Sequence, residues 1–193
     1  MQQFEIIAAL SPIIKLFEEL KIGYYIGGSV ASSVYGLPRT TLDADLVTDL
    51  NIHHVKILTE KLSNDYYVDE KMITEALKRR SSFNLIHLES MTKVDVFILK
   101  ENEYGLKSFG RKKAKYLDES NSLQVYLCSP EDIILSKLEW YKAGDRISER
   151  QWLDVLGVIK VQGDSLDIEY LGHWAKELDV FDLLQEVFNQ GKN

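Results

Sequence analysis

Apolar residues follow two different periods along the chain, and the change between them divides the sequence near residue 128. Before that point, short apolar runs bounded by polar turns predict strands at residues 24–26, 42–47, 66–68, 83–88, 94–99 and 123–127. The first helical stripe lies before these strands, and Ser11-Pro12 within it predicts the cap of a second helix. From Ser129 onward the period is helical, and it begins with the start signal Ser129-Pro130-Glu131-Asp132.

This order of elements predicts an α+β fold. Residues 1–128 are expected to form an α/β domain, a mixed sheet with flanking helices. Residues 129–193 are expected to form a C-terminal helical bundle packed on that domain. A second capping signal, Ser148 with Gln151, predicts another helix start inside the bundle.

The charge and cysteine content narrow the function classes. The formal net charge of the 193 residues is −7, which argues against sequence-independent coating of nucleic acid. A basic cluster at residues 111–115 still leaves a local contact with an RNA end open. Cys128 is the one cysteine in the sequence, so no internal disulfide can form and a cytoplasmic location is expected. The apolar runs are shorter than the ~20 residues of a membrane span, so no membrane partner is expected.

Two carboxylates on one predicted strand are the main candidates for chemistry. Side chains of a strand alternate between its faces, so Asp43 and Asp45 in Leu42–Val47 share one face. Their Cα atoms are about 7 Å apart, and two like charges so close favour a divalent cation such as Mg²⁺ or Mn²⁺. Asp95 has the same context in a later strand. If the strands pair, three carboxylates could hold two metals about 3.5–4 Å apart.

A glycine-rich turn precedes these acids. Gly27-Gly28-Ser29 follows the first predicted strand and opens a short helix. Backbone N–H groups at a helix N-terminus bind phosphate, and glycine lets the phosphate approach the backbone closely. The segment therefore predicts a site for the phosphates of a nucleoside triphosphate, with the Ser29 hydroxyl as a further donor.

Two more charged residues have alternative interpretations. Arg39 could contact phosphate or pair with a nearby acid. Lys137 falls within the apolar stripe of its helix, where a charge needs a partner. It could reach the triphosphate, pair with Asp154, or extend its amine to solvent at the edge of the stripe.

These residues together resemble the nucleotidyltransferase superfamily of DNA polymerase β. The matching pattern is Gly28-Ser29, then Asp43 and Asp45 flanked by apolar residues, then Asp95 on a later strand. The stretch GGSVASSVYGLPRTTLDADLV and the segment that follows Ser129 resemble a small bacterial branch related to the AbiEii-type toxins. The resemblance implies that Asp43, Asp45 and Asp95 bind metal and catalyse transfer. It also implies that Gly28 and Ser29 hold phosphates, and it favours a nucleotide-related role for Lys137.

The expected function is metal-dependent transfer of a nucleoside monophosphate from an NTP to an acceptor, with release of pyrophosphate. The acceptor stays open among an RNA end, a protein and a small molecule. One alternative is a toxin-like or degenerate protein that acts by binding a nucleotide or a partner, such as an antitoxin-like protein. The other is an antibiotic-modifying nucleotidyltransferase.

Overall fold

The computed structural model describes residues 2–117 and 123–191. The helices of these residues are α1 (Gln2–Glu19), α2 (Gly28–Tyr35), α3 (Val55–Leu62), α4 (Glu70–Arg79), α5 (Glu103–Gly110), α6 (Pro130–Ala143), α7 (Glu149–Gln162), α8 (Ile168–Glu177) and α9 (Phe181–Gly191). The strands are β1 (Tyr24–Ile26), β2 (Asp43–Thr48), β3 (Tyr66–Tyr67), β4 (Ser82–His87), β5 (Lys93–Ile98), β6 (Lys113–Tyr116) and β7 (Gln124–Leu127).

The chain divides into two compact units. Residues 1–27 and 40–127 form the first, called the sheet unit, and residues 28–39 and 128–193 form the second, called the helical unit. Helix α2 thus groups with the C-terminal helices although it lies early in the chain. The domain boundary that the sequence predicts at residue 128 stays a prediction.

The sheet unit is built on one mixed sheet. Its strand order is β3-β4-β5-β2-β1-β7-β6, so β2 lies between β5 and β1 near the centre. Strand β2 runs parallel to β5 and antiparallel to β1. Helix α1 packs on this part of the sheet through β2 and β5. The predicted α+β class, a mixed sheet with flanking helices, is confirmed.

Alternation of side chains explains why β2 and β5 form at these positions. Ala44 and Leu46 on β2, and Val94 and Val96 on β5, are fully buried, while the residues between them are partly exposed. Burying a Val or Leu side chain stabilises the fold by about 1.5–3 kcal/mol, so these residues fix the register. The polar residues at the alternate positions are consequently held on the opposite face of both strands.

One sequence prediction in the sheet unit is wrong, and one strand was not predicted. The cap predicted at Ser11-Pro12 is wrong, because α1 continues through Pro12. Proline costs the helix a hydrogen bond, but Leu10 and Ile13 on either side of it are fully buried and hold both halves against one core. Strand β6 was missed because its residues are all exposed and carry lysines, as is common in an edge strand.

The C-terminal part of the helical unit begins with helix α6, whose start agrees with the sequence prediction. The Ser129 side chain caps α6 by accepting a hydrogen bond from the backbone N–H of Asp132 at 3.1 Å, and Pro130 opens the helix. The predicted capping bond of Ser148 is not formed, although α7 does start at the next residue. Helix α2 packs against α6 and α7. No helix among the described residues is long and apolar enough to cross a bilayer.

Candidate active site

The three aspartates singled out in the sequence lie on two adjacent strands of the sheet unit. Asp43 and Asp45 are on β2, and Asp95 is on β5 directly beside Asp45 in the parallel register. Paired residues of neighbouring strands point to the same side of the sheet and lie about 4.7–4.9 Å apart. All three side chains are partly exposed. We call Asp43, Asp45 and Asp95 the acidic face.

Neighbouring side chains bind the carboxylates of Asp95 and Asp43. Asp95 Oδ2 accepts a hydrogen bond from Lys93 Nζ at 2.7 Å. Asn84 lies opposite Asp95 on β4, and in the amide orientation that satisfies both groups it donates to Asp95 Oδ1 at 2.7 Å. Asp43 Oδ1 accepts from the Thr41 hydroxyl at 2.8 Å. The Asp95 carboxylate is therefore held at both oxygens.

Lys93 belongs electrostatically to the acidic face. The hydrogen bond to Asp95 raises the pKa of Lys93 above its usual value, although burial acts in the opposite direction. The negative charges of Asp95, Asp43 and Asp45 raise that pKa further. The ammonium group thus partly neutralises all three carboxylates.

The acidic face has the ligand types of a divalent cation site. Carboxylate oxygens suit Mg²⁺ and Mn²⁺, which are hard cations. Across the part of the chain that the structure describes, however, no group of three or more His, Cys, Asp or Glu side chains is arranged to hold a metal ion. The donor types therefore fit such a cation, and the positions of the side chains do not.

The glycine turn follows β1 directly. Gly27 N–H donates to the Asp45 carbonyl oxygen at 2.9 Å, which ties the end of β1 to the middle of β2. Gly28 is the first residue of α2 and has φ +51°, a backbone conformation that glycine adopts without strain. The sequence prediction of a turn that opens a short helix is therefore correct, and its phosphate-binding role stays a prediction.

Within the helical unit, one buried carboxylate pairs with two cations. Asp154 accepts from Arg39 Nε at 2.7 Å and Nη2 at 2.9 Å, and from Lys137 Nζ at 2.7 Å. The side chains of Asp154 and Lys137 are only 5% and 4% exposed, so Lys137 does not extend to solvent. Arg39 Nη2 also donates to the Ser29 hydroxyl at 2.5 Å, and Lys137 donates to Gln151 at 3.0 Å. The sequence left alternatives open for Arg39 and Lys137. In the structure, both side chains pair with an acid, Asp154.

The charge state of Asp154 follows from this pairing. Burial by itself would raise the pKa of its carboxyl, but the hydrogen bonds from Arg39 and Lys137 outweigh burial and hold the pKa below its usual value. Asp154 is therefore ionised at neutral pH, and it fixes the guanidinium that contacts Ser29.

Comparison with known proteins identifies the fold. No protein-family model matches the chain, and no curated protein sequence matches it. Among solved structures, the antibiotic-resistance factor ANT(2'')-Ia is similar at 13% identity with a TM-score of 0.58, over 98% of this chain and 99% of that one. An antigenic nucleotidyltransferase-like protein from Paracoccidioides brasiliensis is similar at 18% identity with a TM-score of 0.55, over 93% of this chain and 90% of that one. The chain has the nucleotidyltransferase fold.

The nucleotidyltransferase fold agrees with the resemblance found in the sequence, and identities this low show the fold alone. Kinship with the AbiEii-type branch stays a prediction, as do the roles of Asp43, Asp45 and Asp95. The sequence analysis did not single out Lys93 and Asn84, which both contact Asp95. Lys93 could have been found, because it lies two positions before Asp95 and so shares its face. Asn84 could not, because its position opposite Asp95 depends on the pairing of β4 with β5.

Proposed function

We propose that the protein transfers a nucleoside monophosphate from an NTP to a hydroxyl group of an acceptor. The observation that carries this proposal is the placement of Asp45 and Asp95 side by side on adjacent parallel strands, with Asp43 on the same face. The nucleotidyltransferase fold supports it, because the similar structures include an antibiotic-resistance factor and a nucleotidyltransferase-like protein.

The proposed step exchanges a phosphoanhydride bond of the NTP for a phosphoester bond to the acceptor. The acceptor oxygen forms a bond to the α-phosphorus of the NTP, while the bond from that phosphorus to the oxygen bridging the β-phosphate breaks. Pyrophosphate leaves with the bonding electrons, and the proton of the acceptor hydroxyl passes to the Asp95 carboxylate. Mg²⁺ or Mn²⁺ held by the acidic face would supply charge neutralisation at the phosphate oxygens.

The turn after β1 is proposed to bind the triphosphate. Gly27, Gly28 and Ser29 offer backbone N–H groups at the start of α2, and the Ser29 hydroxyl adds a donor. We assign Arg39 and Lys137 to nucleotide binding as residues that position the site, and not as direct phosphate contacts, because both side chains bind Asp154. Arg39 orients the Ser29 hydroxyl through the 2.5 Å hydrogen bond.

A second candidate concerns the acceptor. The structure similar over 98% of this chain belongs to an antibiotic-resistance factor. That likeness favours an antibiotic with a free hydroxyl group as a small-molecule acceptor, beside an RNA end or a protein.

Label transfer tests the proposed function. The protein is incubated with each α-labelled NTP, Mg²⁺ or Mn²⁺, and a panel of tRNA, protein and aminoglycoside acceptors. We expect label in one acceptor class, and a loss of about three orders of magnitude or more in Asp45→Asn. Asp65→Asn makes the same charge change at an exposed carboxylate of the sheet unit and should keep the wild-type rate.

Two outcomes would contradict the proposal. Wild-type rates in Asp45→Asn would show that the acidic face does not carry the reaction. Binding of a nucleotide without transfer to any acceptor would favour a protein that acts by binding a nucleotide or a partner.

A further inference from the structure

Lys93 lies beside two residues of the acidic face. It lies two residues before Asp95 on β5, and it is the direct neighbour of Asp43 in the register of β5 with β2. Its ammonium group is 2.7 Å from Asp95 Oδ2. The sheet therefore places a cation on the same face as the three carboxylates.

The contacts of Asp95 leave it poorly prepared for a metal ion. Lys93 takes one carboxylate oxygen and Asn84 the other. A divalent cation needs oxygen lone pairs directed at it about 2.1 Å away, and an ammonium bound to the same oxygen repels it. Among the described residues, no group of three or more His, Cys, Asp or Glu side chains is arranged to hold a metal ion, which agrees with an Asp95 carboxylate that two other side chains already bind.

We propose that Lys93 is an internal counter-ion that competes with the divalent cation for Asp95. In the metal-free protein its ammonium offsets the repulsion among Asp43, Asp45 and Asp95, and it must release Asp95 before a metal can bind there. The inference rests on the proposed function, since it takes the acidic face as the metal site.

The side chain of Lys93 is suited to such an exchange. It is 45% exposed on a flexible four-carbon stem, so it can move without opening the core. Once released, the ammonium is free to pair with a phosphate of an incoming nucleotide. Metal and nucleotide should then bind cooperatively, because each makes the release of Lys93 from Asp95 more favourable.

Binding of Mn²⁺ alone, followed by the electron paramagnetic resonance signal of the free ion, tests the competition. We expect Lys93→Met to bind Mn²⁺ with a dissociation constant about three- to fivefold lower than the wild type, since the metal no longer has to displace an exposed ion pair. Lys93→Arg keeps the charge and should bind like the wild type. Lys93→Gln, a second neutral variant, should repeat the gain if Lys93→Met folds poorly.

A matched control separates the specific effect from the change in net charge. Lys78 forms an exposed ion pair with Glu75 at 3.0 Å in the same unit. Lys78→Met should leave the affinity for Mn²⁺ within about 1.5-fold of the wild type, since the ammonium of Lys78 pairs with Glu75 and not with a carboxylate of the acidic face.

The outcomes distinguish this inference from the proposed function. If Mn²⁺ binds and Asp45→Asn abolishes binding, but Lys93→Met binds equally or more weakly, the inference is overturned and the proposed metal site stands. If neither the wild type nor Lys93→Met shows binding that depends on Asp45, the metal site and the inference fail together.

Discussion

At the scale of single residues, Asp154 shows how the helical unit tolerates buried charge. An isolated charge in a protein interior is strongly unfavourable, and here Arg39 and Lys137 share one carboxylate. Removing one member therefore leaves the others incompletely paired. The apolar stripe around Lys137 predicted that its amine needed a partner, and the structure supplies Asp154.

The first prediction concerns Lys137. Lys137→Met should lower the free energy of unfolding by about 2–4 kcal/mol, because breaking a buried ion pair leaves a charge uncompensated, although Arg39 still binds Asp154. Urea denaturation measures the change. Lys142→Met, at the more exposed pair with Asp179, should change it by less than about 1 kcal/mol. Equal effects of the two variants would contradict a stabilising role for the buried pair.

The second prediction follows from the lowered pKa of Asp154. A carboxyl whose pKa is lower in the folded state stabilises the protein fully above its unfolded pKa, about 3.9. That stabilisation is lost as the pH falls through the folded pKa. The wild type should therefore be more stable than Asp154→Asn at pH 6, and the difference should shrink as the pH falls below about 4. A difference that stays constant down to pH 2 would show that the charge of Asp154 contributes nothing.

At the scale of elements, two helix starts show that the same sequence signal can form a capping hydrogen bond at one helix and fail to form it at another. Ser129 and Ser148 both stand directly before a helix. Only Ser129 forms its capping bond, and it is fully buried, while its hydroxyl also donates to Asp132 Oδ2 at 2.6 Å. The same residue type at the same position thus contributes differently in α6 and α7.

The third prediction uses this natural pair. Ser129→Ala should reduce the free energy of unfolding by about 1–2 kcal/mol, the usual range for loss of a capping side chain. Ser148→Ala should change it by less than about 0.5 kcal/mol. Chemical denaturation of both variants checks the difference, and equal losses would mean that the Ser129 bonds do not stabilise α6.

The sequence predicted the elements whose pattern is local and missed those that depend on partners. Alternation in β2 and β5 placed Asp43, Asp45 and Asp95 correctly on strands. Helix α1 continued through Pro12 because burial on the core outweighed the local signal. Strand β6 has no apolar period, and its pairing with β7 defines it. The contact of Asn84 with Asp95 likewise depends on strand pairing, which no local pattern specifies.

At the scale of the whole molecule, the nucleotidyltransferase fold and the acidic face support one account of function. The acidic face carries three carboxylates and one ammonium, so without metal the repulsion among the carboxylates is only partly offset. Replacing Asp45 by Asn removes one of the three like charges, so it should not destabilise the metal-free protein, and it should weaken the binding of metal and nucleotide. A purely structural aspartate would show the opposite behaviour.

Thermal unfolding of the wild type and Asp45→Asn, without metal and with Mg²⁺ plus the four NTPs, tests this claim most directly. Without metal, Asp45→Asn should unfold at the same or a higher temperature than the wild type. Ligand should raise the midpoint of the wild type, and the variant should lose most of that shift, because stabilisation follows RT ln(1 + [L]/Kd). Destabilisation of the metal-free variant by more than about 1–2 kcal/mol would instead show that the Asp45 carboxylate accepts structural hydrogen bonds, and its assignment to the active site would be wrong.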